Sequence, residues 1–350
     1  MTNSNTLLSV RDLKVHFSVG GGLLKSRGTV KAVDGVSFDV KRGSTFGIVG
    51  ESGSGKSTTA LAVMRLVKIT AGQVQLGATQ IDNIQGEELR KERRRFQMVF
   101  QDPYASLNPR KRAGDAILEA LDLMNVGDPD SRVEHARQLF EQTGLKPEQM
   151  QLFPHQFSGG QRQRIVLARA LAAKPELVVC DEPVSALDVA IQAQMLNLML
   201  QLQRDHGLTY LFISHDLGVV RHVCNEVAVM YLGRIVEQAP SDALFSNPLH
   251  PYTRALWSAA PSFDPKTRGR SHRIRLQGDP PSPMNIPVGC RFAGRCPHAT
   301  DECRSVEPML RTVTNGHWVA CHRVGPEGAV LYDSMTGAPQ FQALSTVASY

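Results

Sequence analysis

Nowhere in these 350 residues does an uninterrupted apolar run approach the roughly 18 positions that a helix needs to cross a bilayer, so the chain itself is not expected to span a membrane. The opening MTNSNTLLSVRDLKVHF lacks a basic start, an apolar stretch and a small-residue cleavage site, so no secretory signal is indicated and a cytoplasmic chain is expected. Cysteine is sparse, six in all, and a reducing compartment disfavours structural disulfides, which leaves metal ligation or core thiols. There is no internal repeat and no long low-complexity tract. Nor is there a decisive charge: the net +6 suits nucleic acid, an anionic membrane surface or phosphorylated ligands alike, because Lys and Arg are scattered. The short RKERRR run at Arg90 to Arg95 reads as a solvated face.

The length predicts one large domain with a smaller appendage. LLSVRDLKVHFSV and VKAVDGVSFDVKRG alternate apolar and polar residues, as half-buried antiparallel strands do. TFGIVGESGSGKSTTALAVMRL follows as strand, Gly/Ser loop and helix, and PELVVCDEP and LTYLFISHD read as buried parallel strands with polar carboxyl ends. The core is therefore α/β. From about residue 103 to 163 the pattern is helical, with DAILEALDLM and VEHARQLFEQTGL its clearest amphipathic stretches. Thirteen of the twenty prolines lie from Pro240 onward and periodicity fades, which predicts a nucleotide-binding domain over 1–262 and a small, loop-rich C-terminal domain over 263–350.

GESGSGKS, Gly50 to Ser57, matches G-x-x-x-x-G-K-[ST] between a strand and a helix. Its glycines (Gly50, Gly53, Gly55) let backbone N–H groups close around phosphate oxygens, with Ser52, Ser54 and Thr58 beside them. Lys56 reaches the β- and γ-phosphates, and the Ser57 hydroxyl binds Mg²⁺. LVVCDE supplies the complement: Asp181 to orient Mg²⁺ and Glu182 to polarise the attacking water. Two acids after a strand more often form a cap or surface turn; the phosphate loop upstream reverses those odds.

FSGGQRQRIVLARALAAKP builds a second anion-binding helix start, with Ser158 a good N-cap and two bare glycines behind it. One nucleotide needs one such cradle, so the second suggests a site completed by another subunit. At this point the chain resembles an ATP-binding-cassette ATPase, in which Ser158, Gly159, Gly160 and Gln161 match the signature motif, with Phe157 where Leu is commoner. The resemblance implies a RecA-like P-loop NTPase core with an antiparallel β subdomain and a helical subdomain, ATP and Mg²⁺ as ligands, and head-to-tail dimerisation of two ATPase chains. It places Phe17 on the adenine, although Phe17 unaided reads as a core strand residue. It makes Gln101 in FQDP the Q-loop glutamine, which contacts Mg²⁺ and water. Asp188 in SALD falls in the loop that crosses the dimer interface, and His215 in ISHD is the switch histidine at the γ-phosphate.

VFQDPYASLNPR, VMYLGRIVE, NPLHPYTRAL and LQGDPPSPMNIPVGCRFAGRC narrow the resemblance to ATPase subunits of dipeptide and oligopeptide importers, with VHFSVGGGLLKSRGTVKAVDGVSF and SLNPR closer to the F-type chain than the D-type. That implies a non-identical D-type ATPase partner, two membrane permease subunits, a periplasmic peptide-binding protein and a peripheral place on the cytoplasmic face of the inner membrane. The rival is a soluble cassette ATPase acting on nucleic acid or ribosomes. Such proteins generally carry coiled-coil insertions or tandem cassettes, which this chain lacks, so no nucleic-acid partner is expected.

Cys290, Cys296, Cys303 and Cys321 are spaced C-x5-C-x6-C-x17-C, without the short knuckles usual for zinc. Four thiolates on a loop-rich segment suit a [4Fe-4S] cluster, and members of the importer subgroup resemble this chain in holding one. Zinc, with His298 or His322 as substitute ligands, and free core thiols are the alternatives. A cluster here would be a structural staple rather than a redox centre acting on the transported peptide, with redox regulation of transport as the alternative. Cys180 and Cys224, in apolar segments, read as buried thiols.

Overall fold

The computed structural model describes residues 5–20, 28–259 and 274–332. The expected boundary at 262/263 and residues 333–350 lie outside the described residues. The chain divides into two compact units, residues 1–15, 35–47 and 57–214 in the first, and 16–34, 48–56 and 215–350 in the second.

β1 (Thr6–Val19), whose residues up to Val15 belong to the first unit, lies between β2 (Gly28–Lys41) and β4 (Ala71–Leu76), with β5 (Thr79–Gln80) beyond; the hydrophobic strand β3 (Thr45–Val49) precedes helix α1 (Lys56–Val63). Strict alternation from Leu8 and Val10 would carry Asp12 into the core. A register shift between Arg11 and Lys14, with Asp12 at φ +46°, returns Leu13 and Val15 to the inner face instead. After α2 (Gly86–Glu92), β6 (Phe96–Val99) pairs in parallel with β7 (Leu177–Asp181), and β7 with β8 (Thr209–Ile213). Their apolar residues are buried, as strands covered on both faces require.

Between β6 and β7 run α3 (Pro103–Ser106), α4 (Ala113–Leu123), α5 (Arg132–Gln142) and α6 (Gly159–Ala172), and α7 (Val189–His206) leads into β8. Ile117 and Leu121 of α4 and Leu139 and Phe140 of α5 are the buried stripe of this helical layer against α6. Arg95 leaves the solvated face expected of its run: it bonds Glu92 at 2.7 Å and Glu176 at 2.5 Å.

The second unit contains α8 (Leu217–Val223), the hairpin of β9 (Glu226–Tyr231) and β10 (Arg234–Pro240), α9 (Ser241–Ser246), α10 (Pro251–Ala259), α11 (Asp301–Ser305), β11 (Arg311–Thr314) and β12 (His317–Val319). Leu232 and Gly233, both at positive φ, make the two-residue turn between β9 and β10. The described part of the tail holds regular elements besides its loops. β12 pairs antiparallel with β10, Glu237 opposite Val319, and β11 pairs with β12. Leu249, Val313, Val319, Cys321 and Val324 form a small apolar cluster there.

Candidate nucleotide site

The phosphate loop leaves β3 at Gly50, whose φ is +155° and where a Cβ would meet the Met230 carbonyl at 2.2 Å. Gly55, at φ +106°, is as constrained: a Cβ would meet the Ala32 carbonyl at 2.2 Å. The loop is thus an obligate glycine backbone at both ends. Lys56 is buried and its Nζ donates to the carbonyls of Gly50 and Glu51 at 2.8 and 2.9 Å. Ser54 is 4% exposed, and its Oγ is one of the few buried polar side-chain atoms without a hydrogen-bond partner among the described residues. A buried hydroxyl of that kind is free to bond a water or a ligand oxygen. Ser52 and Gly53 are exposed at the loop's crest.

Ser57, the next residue of α1, belongs to the first unit, where its Oγ donates to Asp181 Oδ1 at 3.0 Å. β7 ends there. Glu182 follows at φ +48°, a left-handed conformation that costs a non-glycine residue energy and is held by its N–H bond to the Ile213 carbonyl at 2.9 Å. The Ser185 hydroxyl bonds the Glu182 carbonyl at 3.0 Å, and Gln101 Nε2 donates to Glu182 Oε2 at 2.9 Å. The structure therefore brings together Gln101 with Glu182, and Ser57 with Asp181, the pairs expected to serve water and Mg²⁺.

α6 starts as the sequence predicts. Ser158 Oγ accepts from the Gln161 N–H at 3.3 Å, and the Gln161 side chain accepts from the Ser158 N–H at 3.0 Å, a reciprocal capping box already legible in S-x-x-Q. Ser158 and Gly159 are exposed, whereas Gly160 is buried, where a Cβ would meet Ile191 Cγ2 at 2.4 Å. Asp188 caps α7, accepting from the Ile191 N–H at 3.0 Å, and Val189 beside it is 82% exposed.

In the second unit His215 is exposed, next to Asp216, which caps α8 through the N–H groups of Gly218 and Val219. Phe17 on β1 is 40% exposed, so it is not the buried core residue that its strand position alone suggests. Its neighbour His16 meets Asp34 at 2.9 Å.

The four tail cysteines also gather in the second unit. Cys290 and Cys296 each feel Cys303, and Cys321 feels the other three; burial raises the Cys290 thiol, pushes Cys296 up to about 11 and Cys321 up to about 12. Backbone N–H groups point at these sulfurs: Phe292 and Ala293 at Cys290, His298 at Cys296, Arg323 at Cys321. The Thr300 hydroxyl lies 3.3 Å from Cys303 Sγ. None of the six cysteines forms a disulfide, and among the described residues no group of three or more His, Cys, Asp or Glu side chains closes around a metal-ion position. Cys180 and Cys224 are buried, as expected.

Sequence reading missed several residues that hold the loop. Tyr252 receives the Glu51 N–H at 2.8 Å, Arg295 pairs with Glu51, and Arg291 pairs with Asp34 at 2.6 Å. Both arginines stand in CRFAGRC, a stretch read in the sequence for its cysteines and its family resemblance, not for its charge.

Residues 33–185 match the family described as ABC transporter, and residues 236–303 match the oligopeptide/dipeptide transporter C-terminal region. A dimeric ATP-binding cassette solved in a post-hydrolysis state with ADP and Pi superposes with a TM-score of 0.60, at 26% identity over 67% of this chain and 99% of that one. The chain is an ATPase of the ABC transporter family. A putative peptide import ATP-binding protein of Brucella ovis is 50% identical over 91% of this chain and 98% of its own length. The di/tripeptide transport ATP-binding protein DppF of Pseudomonas aeruginosa is 49% identical over 91% and 97%, and the oligopeptide transport ATP-binding protein AppF of Bacillus subtilis 50% over 91% and 98%. Within the family, the chain belongs to the group that carries the oligopeptide/dipeptide transporter C-terminal region. Among the described residues no helix is long and apolar enough to cross a membrane.

Proposed function

We propose that this chain is the ATP-hydrolysing subunit of a dipeptide or oligopeptide importer, bound peripherally to two permease subunits on the cytoplasmic face of the inner membrane. The observation that carries this reading is the match of residues 236–303, downstream of the phosphate-loop, signature and switch motifs, to the oligopeptide/dipeptide transporter C-terminal region. Residues 1–262 form the motor and 263–350 the appendage. The motor works head to tail with a D-type ATPase, and a periplasmic binding protein delivers the solute.

Gly50 to Thr58 wrap the phosphates, Lys56 counters their charge, and Phe17 stacks on the adenine. Ser57 and Asp181 offer hard oxygen donors 3.0 Å apart, a set that suits Mg²⁺, with Gln101 nearby on Glu182. When bound, the ion neutralises charge on the β- and γ-phosphates. Glu182 orients and deprotonates the attacking water, Gln101 fixes that carboxylate, and His215 contacts the γ-phosphate. Ser158, Gly159, Gly160 and Gln161 present their helix start to the partner's nucleotide, and Asp188 sits at the same interface.

Cys290, Cys296, Cys303 and Cys321 are assigned to a [4Fe-4S] cluster. The support for it is the presence of four cysteines in one loop-rich segment, which suits such a cluster; the described side chains do not themselves close around a metal position. His322, an alternative ligand for zinc, has its Nε2 on the Val306 carbonyl at 3.0 Å and its Nδ1 3.5 Å from Glu302. A bound cluster supplies cross-links among four tail segments.

The test is purification together with two permease subunits and a peptide-binding protein of the proposed importer. Peptide-stimulated hydrolysis and brown anaerobic protein with about four irons per chain are expected. Hydrolysis stimulated by DNA or ribosomes but not by peptide would favour the soluble rival, and one zinc per chain would replace the cluster.

A further inference from the structure

The six residues after Cys290, Arg291 to Cys296, carry two arginines that reach opposite ends of the nucleotide-binding segments of the second unit. Arg295, with a side chain only 9% exposed, grips the Glu51 carboxylate through both terminal nitrogens, at 2.8 and 3.1 Å, and lies over the Tyr231 ring at 5.9 Å. Glu51 is the second residue of the phosphate loop. Its N–H is held by the Tyr252 hydroxyl and its carbonyl by Lys56 Nζ, so Arg295 completes a fixation at all three of its polar groups. Arg291 is 5% exposed and spends its guanidinium on three segments: Asp34 at 2.6 Å, the Leu232 carbonyl at 2.7 Å and Glu307 at 3.0 Å. The other oxygen of Asp34 meets His16, one residue before Phe17. Burial opposes the Asp34 charge, yet the bonds from Arg291 and His16 prevail and hold its carboxyl below the usual carboxylate value.

We propose that the loop from Cys290 to Cys296 is a positioning element of the ATP site: Arg295 orients and neutralises Glu51 of the phosphate loop, and Arg291 holds Asp34, whose other oxygen meets His16 beside Phe17. The electrostatic part is specific. A carboxylate in the first turn of a phosphate loop repels a nucleotide triphosphate, and pairing with a guanidinium in bidentate geometry cancels that charge while fixing its direction. Removing Arg295 leaves Glu51 free to repel ATP, whereas removing both groups leaves neither charge. A purely structural role for Arg295 predicts no such recovery.

The inference rests on the assignment of Gly50 to Ser57 as the nucleotide site. The experiment is equilibrium binding of ATP, with KM and kcat, for the full chain in its assembled complex, alongside Lys56→Ala, Arg295→Gln, Glu51→Gln, the Arg295→Gln/Glu51→Gln pair and Arg295→Lys. Arg295→Gln is expected to weaken ATP binding at least tenfold with KM rising more than kcat falls. The double variant should return to within threefold of the parent, and Arg295→Lys should lie between. An Arg295→Gln chain that binds ATP like the parent, or a double variant as weak as the single, overturns the proposal. If Arg295→Gln fails to fold, the comparison of Glu51→Gln with the double variant and with Arg295→Lys decides it: a double variant bound far more weakly than Glu51→Gln overturns it. Unaltered binding by Lys56→Ala would instead overturn the underlying site assignment.

Discussion

Glu237 of β10 is 0% exposed and accepts three hydrogen bonds, from the N–H groups of Leu249 at 2.7 Å and His250 at 2.9 Å and from the His317 ring at 2.8 Å. Glu237→Ala strips two buried backbone donors and an imidazole of their common acceptor. Bonds to a charged acceptor contribute about 1.5–3 kcal/mol each, so three set a ceiling of about 9 kcal/mol. Relaxation and water entry reduce this toward the ~3–5 kcal/mol seen when one partner of a buried pair is removed. Glu237→Gln keeps the shape but offers one acceptor oxygen, so about 2 kcal/mol is expected. The same peptide group starts α10, whose Tyr252 holds Glu51, so ATP affinity should weaken in the same order. Hydrogen exchange at the Leu249 and His250 amides, with urea unfolding, reads both steps. Unchanged protection of those amides, or a loss under about 1 kcal/mol for Glu237→Ala, would refute the reasoning.

Glu182→Gln should leave ATP binding intact while phosphate release falls ~10²–10⁴-fold, the range for a general base; turnover near the parent rate removes that role. Gly159→Trp should fold normally, because an added Cβ meets only Leu187 Cδ2 at 3.7 Å, yet should depress hydrolysis in the assembled complex. Full activity there would argue against a shared site. His250, held neutral by burial at about 4 instead of 6.5, accepts the Tyr252 N–H through Nδ1. Its folded value is depressed, so its contribution is complete above pH 6.5 and is lost as pH falls toward 4, by about 3 kcal/mol. Urea midpoints across that interval should drop for the parent and flatten for His250→Gln.

The α/β core and the phosphate loop were legible because their signals are local: apolar runs that end in Asp181 and His215, glycines at fixed spacing, and a serine N-cap at Ser158. The tail strands were harder. TVTNGHWV contains an Asn-Gly hairpin signal, but each strand is only three or four residues long, and β12's partner β10 lies far upstream, opposite Glu237. Arg291, Arg295, Tyr252 and Glu237 stand in stretches that carry the importer resemblance, yet their pairings left no trace, because an ion pair or hydrogen bond between distant segments imposes no periodicity on either one. Asp12 shows the same limit on a smaller scale: the bulge that keeps it out of the core follows from backbone geometry that alternation alone does not encode.

The Arg295–Glu51 contact joins residues 244 positions apart. A ribosome adding about 5–20 residues per second needs roughly 10–50 s to travel from one to the other. Throughout that interval a nascent chain already owns every residue of its phosphate loop yet lacks the guanidinium that steadies it. Under the positioning proposal, a chain cut short before the cysteine segment, by a truncated transcript or a stalled ribosome, would hold ATP weakly.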